Sequence, residues 1–160
     1  MVSRPTPSLP VLRDGHADDL DMVMEVMESA FQPCFGEGWT RSQCSGILPM
    51  NGVRLRLAGL AGARASGFSL MRVVADEAEL LLIAVHPDAQ RGGIGQALLD
   101  DFVGHARRQG ASHLHLEVRD GNPAMGLYSA NGFVIAGRRR DYYHGPQSDH
   151  YDALTLVLRD

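Results

Sequence analysis

Residues 90–96 form the segment whose residue types point most directly to chemistry. They read Gln-Arg-Gly-Gly-Ile-Gly-Gln between an apolar run and a helical pattern. Small residues allow backbone N–H groups to approach a ligand closely, and N–H groups at a helix start form an anion site, to which Arg91 adds a positive charge. No Lys-Ser/Thr pair follows the glycines and the spacing is not G-x-G-x-x-G, so this is neither a Walker loop nor a dinucleotide fingerprint. A purely structural tight turn is the alternative interpretation.

The elements around this segment predict how it is held. Residues 78–85 are a continuous apolar run, typical of a central strand covered on both faces. Residues 95–108 place apolar side chains on one helical face, and residues 112–118 alternate strictly, which predicts a further strand. Strand, glycine loop, helix and strand together predict a βαβ unit with a right-handed crossover.

The remaining chain predicts one α/β domain with a mixed sheet over residues 11–160, after a flexible tail of residues 1–10. Leu20, Val23, Met24 and Met27 have helical spacing, so a first helix is predicted there. Residues 31–52 predict a loop with a short helix around 42–48. Two hairpin strands are predicted at 53–58 and 65–74, and a short helix at 124–130. The last strands are predicted at 133–136 and 153–158, separated by a polar loop at 141–152.

Metal and cysteine chemistry have little support in the sequence. His113, His115 and Glu117 alternate and therefore share one strand face, but three ligands in line converge poorly on a tetrahedral ion. A polar groove wall is the simpler interpretation. Cys34 and Cys44 form no C-x-x-C pair and have no neighbouring base, so we expect no zinc site, disulfide or nucleophile, and a reducing compartment.

Composition excludes two further classes of protein. With 160 residues, a net charge of −4 and a pI near 5.9, the chain lacks the concentrated basic surface of a nucleic-acid binder. No stretch approaches the roughly 20 apolar residues that span a bilayer, and the first ten residues resemble no signal peptide. We therefore expect a cytoplasmic protein that binds neither nucleic acid nor membrane.

Two spaced motifs resemble the GCN5-related N-acetyltransferases, abbreviated GNAT. Residues 83–99 read Ile-Ala-Val-His-Pro-Asp-Ala-Gln-Arg-Gly-Gly-Ile-Gly-Gln-Ala-Leu-Leu, similar to motif A of that family. Ala-Met-Gly-Leu-Tyr at 124–128 and Asn-Gly-Phe at 131–133 resemble its second signature. The resemblance runs from about Val11 to Leu158. It implies a GNAT fold, with a single mixed, mostly antiparallel, splayed sheet of six or seven strands and helices on both faces.

Within that family the chain resembles the RimI-type enzymes, which acetylate alanine at the N-terminus of a ribosomal protein. Leu-Glu-Val-Arg at 116–119, Arg-Arg-Asp-Tyr-Tyr at 139–143 and the closing residues 152–158 carry this likeness. The resemblance implies acetyl-CoA as cosubstrate, no metal, and a protein N-terminal amine as acceptor. The alternatives are a small amine or a lysine side chain on the same fold, or a non-catalytic acyl-CoA-binding module. We expect a monomer or weak dimer.

The resemblance also implies roles for individual residues. Glu117 would be the general base and Tyr128 the acid that protonates the departing thiolate, in direct transfer without a covalent enzyme intermediate. Tyr142 and Tyr143 would line the acceptor groove. Backbone groups of the strand end would pair with pantetheine and hold the thioester oxygen, and amides of the glycine loop would hold pyrophosphate. The implied cofactor residues are Ile83, Ala84, Val85, Gln90, Arg91, Gly92, Gly93, Ile94, Gly95, Gln96 and Asn122.

Taken alone, these residues also fit ordinary structural roles, and one spacing departs from the family. Glu117 fits a solvated strand carboxylate, Tyr128 a packed aromatic, and the tyrosine pair edge-strand packing. In the family the Glu and Tyr stand twelve positions apart, with an Asn seven before the Tyr; here Tyr128 is eleven after Glu117. Aligned on the helix, Gly121 takes the place of the Asn; aligned on the strand, Asn122 does.

Overall fold

The computed structural model describes residues 9–60, 62–147 and 149–158. Its seven strands form one sheet in the order β1-β2-β3-β4-β5-β7-β6, in which only β4 and β5 are parallel. The strands are β1 (Pro10–Gly15), β2 (Val53–Leu60), β3 (Gly67–Val74), β4 (Glu77–Val85), β5 (His113–Arg119), β6 (Phe133–His144) and β7 (His150–Leu158). The helices are α1 (Leu20–Ala30), α2 (Arg41–Ile47), α3 (Ile94–Arg108) and α4 (Met125–Ala130).

Helices cover both faces of the sheet, as the sequence predicts. On one face α1 and α2 bury Val23, Met27 and Cys44 against β2, β3 and β4. On the other face α3 and α4 bury Phe102 and Tyr128 against β4, β5 and β7. The mixed, mostly antiparallel sheet and its βαβ unit are confirmed. Among the described residues, no helix is long and apolar enough to cross a membrane.

A bulge in β4 separates the ends of the two central strands. Leu70 pairs with Leu82 and Met71 with Leu80, so Leu81 is the extra residue. Because one extra residue reverses the alternation, Leu80 packs on the side of α3 whereas Leu82 packs on the side of α1. Pairing between β4 and β5 covers residues 77–80 with residues 113–116 and extends no further in the described chain. The sheet therefore splays open at the carboxyl ends of β4 and β5.

Two sequence predictions need correction. The sequence analysis predicts no strand before the first helix, but residues 10–15 form the edge strand β1, and α1 begins at Leu20 after a 3₁₀ turn. The polar loop predicted at 141–152 is mostly hairpin, because β6 continues to His144 and β7 begins at His150. Both segments are largely exposed, so they lack the apolar alternation that reveals a strand. Of the predicted tail, residues 1–8 lie outside the described part of the chain.

Candidate active site

The splayed strand ends open into a cavity of about 880 Å³. Its walls come from the end of β4, the glycine segment, the end of β5, the start of α4, the loop between α1 and α2, and the hairpin of β6 and β7. The lining residues include Ile83, Ala84, Val85, Gln90, Arg91, Gly95, Glu117, Asn122, Tyr128, Tyr142 and Tyr143. The structure thus brings together most of the residues that sequence analysis selected.

The glycine segment turns sharply before α3. Arg91 and Gly93 both have positive φ, 69° and 83°, and Gly93 is the residue immediately before the helix. Gln90 donates a hydrogen bond to the carbonyl oxygen of Val85 at 3.4 Å, which ties the loop to β4. The first-turn N–H groups of α3 precede the helical hydrogen-bond pattern and are the donors that a bound anion would use.

Four residues of the predicted cofactor set, Gly92, Gly93, Ile94 and Gln96, are not among the residues that line the cavity. Gly92 and Gly93 have no side chain to contribute. The side chain of Ile94 is buried against Ala58 and Leu98. The amide of Gln96 forms a reciprocal pair with Asn131, at 2.7 and 3.0 Å. Any contact of these four residues with a ligand would therefore be made by their backbone.

Glu117 enters the cavity from β5, on the face that α1 and α2 cover. Its side chain is 16% exposed, and Oε1 lies 2.8 Å from Nε of Arg139 on β6. Burial, followed by the negative charge of the nearby Glu117, raises the pKa of Tyr142. Strands β5 and β6 together thus hold the Glu117 carboxylate at the cavity wall.

Tyr128 reaches the same cavity from α4, on the opposite face of the sheet. It is 4% exposed and packs edge-on against Phe133, with ring centroids 6.0 Å apart. Burial raises the pKa of the Tyr128 phenol, and the nearby Tyr143 and Glu37 raise it further. Its hydroxyl therefore stays protonated across the physiological range and can act only as a proton donor or hydrogen-bonding group.

The shortened turn between β5 and α4 is built around Asn122. Its Oδ1 accepts a hydrogen bond from the backbone N–H of Ala124 at 2.8 Å, which forms an Asx turn just before α4. Gly121 has φ of +91°, a conformation that favours glycine. Within this turn Asn122 supplies the polar side chain and Gly121 makes the bend.

Sequence analysis missed a buried ion pair in this cavity. Nε of Arg119 lies 2.6 Å from Oε1 of Glu37, and both side chains are less than a tenth exposed. The Arg119 guanidinium also stacks on Phe35, 3.6 Å from the ring centroid. Glu37 comes from the loop after α1, 82 positions before Arg119. A sequence pattern cannot reveal a pair so distant. The usable signal was Glu37 itself, a single acidic residue in a loop rich in aromatic residues.

Two loops meet over the end of the cavity that Phe35, Tyr142 and Tyr143 line. Gly36, with φ of +69°, lies so close to the His144 carbonyl that a Cβ there would overlap it. Gly145 packs in the same way against the Cys34 carbonyl, and Phe35 contacts Tyr151 edge-on at 5.2 Å. The backbone of residues 34–36 therefore rests directly on the β6–β7 hairpin and forms a roof.

His113 and His115 lie beside acidic residues, and Cys44 lies in the core. Among the described residues, no group of three His, Cys, Asp or Glu side chains could hold a metal ion. His113 and His115 lie 3.8 and 4.0 Å from Asp76 and Glu77, respectively. Cys44 is buried, and burial raises the pKa of its thiol, which disfavours the nucleophilic thiolate.

The chain is similar to several known acetyltransferases. The chain is 42% identical over 105 residues to a [ribosomal protein bS18]-alanine N-acetyltransferase of Salmonella typhimurium, covering 65% of this chain and 70% of that protein. It is 43% identical over 95 residues to the Escherichia coli protein of the same name, covering 58% and 63%. The crystal structure of the E. coli ribosomal-protein-S18-alanine N-acetyltransferase superimposes with a TM-score of 0.80 at 29% identity, covering 94% of this chain and 93% of that one.

The family assignment follows from a match that spans most of the chain. The sequence profile of the Acetyltransferase (GNAT) family matches residues 21–133. That span contains most of α1, the glycine segment, Glu117 and Tyr128, and therefore most of the elements that build the cavity. The chain belongs to the GNAT family of acetyltransferases.

Proposed function

We propose that this protein transfers the acetyl group of acetyl-CoA to the N-terminal α-amine of a protein, with a ribosomal protein that begins with alanine as the leading candidate. The observation that carries the proposal is the convergence of Glu117 and Tyr128 on one cavity from opposite faces of the sheet. A base and an acid on opposite sides of a cleft suit acyl transfer to an amine. The relatives named above support the choice of acceptor.

The residues at the β4 end of the cavity fit acetyl-CoA. Beyond Leu80 the edge of β4 that faces β5 is unpaired within the described chain, so it can pair with an extended pantetheine arm. Arg91 and the first-turn N–H groups of α3 suit pyrophosphate, and the two glycines before the helix leave its backbone accessible. Acetyl-CoA supplies the thioester that the amine attacks.

Starting from the ammonium, the nitrogen loses two protons as the amide forms: one passes through Glu117 to solvent, and the other replaces the proton that Tyr128 gives to the sulfur. Glu117 takes a proton from the acceptor ammonium, directly or through one water, because an α-amine has a pKa near 8 and loses its proton readily. The N–H of Val85 lies at the cavity wall, where it can stabilise negative charge on the thioester oxygen. Tyr128, protonated throughout, delivers its proton to the sulfur as the C–S bond breaks.

The roofed end of the cavity favours an N-terminus over a long side chain in the middle of a peptide. Phe35, Tyr142 and Tyr143 form an aromatic wall there, and residues 34–36 close against the hairpin. A chain terminus can enter such a closed end directly. In addition, a lysine amine, with a pKa near 10.4, gives up its proton less readily than an α-amine. A small amine would fit the volume equally well, so it stays the second candidate.

A non-catalytic acyl-CoA-binding role has less support, because binding needs neither proton carrier. In this chain both carriers are present and lie in the cavity. Cytoplasmic location, a single domain over residues 11–160 and a monomeric or weakly dimeric state stay predictions.

The proposal is tested by measuring thiol release from acetyl-CoA with a peptide that begins with alanine and is rich in arginine. The controls are the same peptide with a blocked N-terminus, a lysine peptide with a blocked N-terminus, and a polyamine. We expect turnover only with the free α-amine, and a loss of about 10²–10⁴-fold in kcat for Glu117→Gln. Turnover with polyamine or lysine instead would refute the N-terminal acceptor, and acetyl-CoA binding without any turnover would favour the binding module.

A further inference from the structure

The buried Glu37 carboxylate joins three segments that are distant in sequence. Its Oε1 accepts hydrogen bonds from Nε of Arg119 at 2.6 Å and from Nδ2 of Asn122 at 3.0 Å. Glu37 belongs to the loop that roofs the acceptor end, Arg119 to β5, and Asn122 to the turn before α4. One oxygen atom therefore connects the roof to both elements that carry the candidate base and acid.

Each connection leads to a reacting group within a few residues. Arg119 follows Glu117 by two positions and so lies on the same face of β5. Asn122 accepts a hydrogen bond from the N–H of Ala124, the residue before α4, and Tyr128 lies one helical turn beyond Ala124. Gly121, with a positive φ, forms the bend between β5 and Asn122. The contacts of Glu37 with Arg119 and Asn122 therefore link the two sides of this turn.

The surroundings make Glu37 a rigid anchor. Its side chain is 8% exposed, and its partner Arg119 is held by the ring of Phe35. The neighbouring Gly36 rests on the His144 carbonyl, so the loop backbone cannot shift toward the hairpin. A buried carboxylate that accepts two hydrogen bonds loses much more when one partner is removed than an exposed ion pair does.

We infer that Glu37 is a positioning residue that fixes Tyr128 relative to Glu117 through its shared contact with Arg119 and Asn122. The inference rests on the proposed function for the roles of the base and the acid. Glu37 itself needs no contact with the reacting atoms. Its removal is expected to impair the chemical step while the glycine segment, which lies at the other end of the cavity, continues to bind acetyl-CoA.

The test compares Glu37→Gln, Asn122→Asp and the double variant. The double variant returns a carboxylate to the cluster, now at position 122. The introduced aspartate can still accept the hydrogen bond from the N–H of Ala124. It can also accept a hydrogen bond from the introduced glutamine or from Arg119. Glu25→Gln is the matched control, since Glu25 forms an exposed ion pair with Arg64 at 2.6 Å. For each variant we would measure kcat, KM for acetyl-CoA and for the alanine peptide, and thermal unfolding.

We expect Glu37→Gln to lower kcat by about 10–100-fold, the scale of a displacement near 1 Å, with KM for acetyl-CoA within about twofold of the unmodified enzyme. The double variant should recover part of that loss, and Glu25→Gln should match the unmodified enzyme. A lower unfolding temperature in Glu37→Gln with kcat unchanged would overturn the inference, because Glu37 would then serve stability alone. A double variant no better than Glu37→Gln would also overturn it.

A second readout separates this inference from the proposed function. In protein labelled with ¹³C at the tyrosine ζ carbon, the Tyr128 resonance is identified by its absence in Tyr128→Phe. We expect it to move in Glu37→Gln and to return toward its original position in the double variant. If no acceptor turns over, the proposed function fails, and a Tyr128 resonance unmoved in Glu37→Gln would refute the positioning role independently.

Discussion

The end of the cavity that we propose binds acetyl-CoA, the cofactor end, and the end that we propose binds the amine, the acceptor end, are built in different ways. The cofactor end lies within residues 83–99, a single stretch in which β4 passes through a glycine turn into α3. The acceptor end is assembled from residues 35–39, 117–128 and 142–143, and its central ion pair joins residues 82 positions apart. The first end presents mainly backbone, and the second presents mainly side chains.

This difference follows from what each end must recognise. A pyrophosphate and an extended pantetheine arm need backbone N–H and C=O groups, which nearly every residue supplies, so the sequence must only set the turn and keep side chains away. An amine acceptor needs particular side chains at a particular spacing, and those come from several elements. Changes to the two ends should therefore affect different kinetic constants.

The largest expected effect lies where the two ends meet. Tyr128→Phe removes the proton donor but keeps the ring that packs on Phe133, so kcat should fall by about 10²–10⁴-fold while KM for either substrate changes little. Steady-state kinetics would measure this. Tyr151→Phe, which keeps the ring beside Phe35, is the matched control and should retain full activity. Equal kcat for the two variants would remove Tyr128 from the mechanism.

A substitution in the roof should affect the acceptor alone. Gly145→Ala introduces a Cβ that overlaps the Cys34 carbonyl, so the roof must shift. We expect KM for the peptide to rise about tenfold, equivalent to about 1.4 kcal/mol, with KM for acetyl-CoA unchanged. Gly46→Ala on α2, where a Cβ meets nothing, is the control. A parallel rise in both KM values would contradict the separation of the two ends.

A substitution in the glycine turn should weaken acetyl-CoA binding and leave the peptide acceptor unaffected. Gly93→Ala forces a side chain into a positive φ of 83°, at a cost of about 1–2 kcal/mol, in the turn that presents the first N–H groups of α3. The dissociation constant for acetyl-CoA, measured by calorimetry, should rise several-fold, while KM for the peptide is unchanged. Gly110→Ala, with φ of 87° but remote from the cavity, should reduce stability without weakening acetyl-CoA binding.

The smallest effect concerns the pH dependence of stability at the far end of α3. Burial, followed by the charge of Arg54, lowers the pKa of His105 below its usual value of about 6.5. Below about pH 6.5 the unfolded chain therefore gains a proton before the folded one, so this contribution to stability is present above that pH and is lost as the pH falls. Between about pH 7.5 and about pH 5.5, the free energy of unfolding measured in urea should fall less for His105→Gln than for the unmodified protein. An identical loss would mean that other groups cause the acid sensitivity.

The sequence predicted the helices and central strands well because their burial imposes a period. Val23 and Met27 on α1, and Phe102 on α3, repeat at helical spacing because one helix face is buried. Strand β1 and the outer part of β6 were not predicted, because an edge strand exposed to water needs no regular alternation of apolar and polar residues.

The candidate site divides in the same way. Its glycine turn, Glu117, Tyr128 and the two tyrosines of β6 were predicted, because each stands in a short motif of contiguous residues. Glu37 and Arg119 were not predicted, because neither residue has a local pattern that marks it as paired. From sequence alone, a carboxylate in a loop is expected to be exposed to solvent, and only packing against a distant segment buries it.

By itself, the sequence determined the element order around β4 and α3, the glycine turn between them and the types of residue available for proton transfer. These depend on short-range preferences for φ, burial period and helix starts. Only the tertiary structure decided that Glu117 and Tyr128 share a cavity, and that Glu37 bridges β5 and the turn before α4. Those outcomes depend on the bulge at Leu81 and on contacts between residues far apart in the chain, which exist only after the sheet has formed.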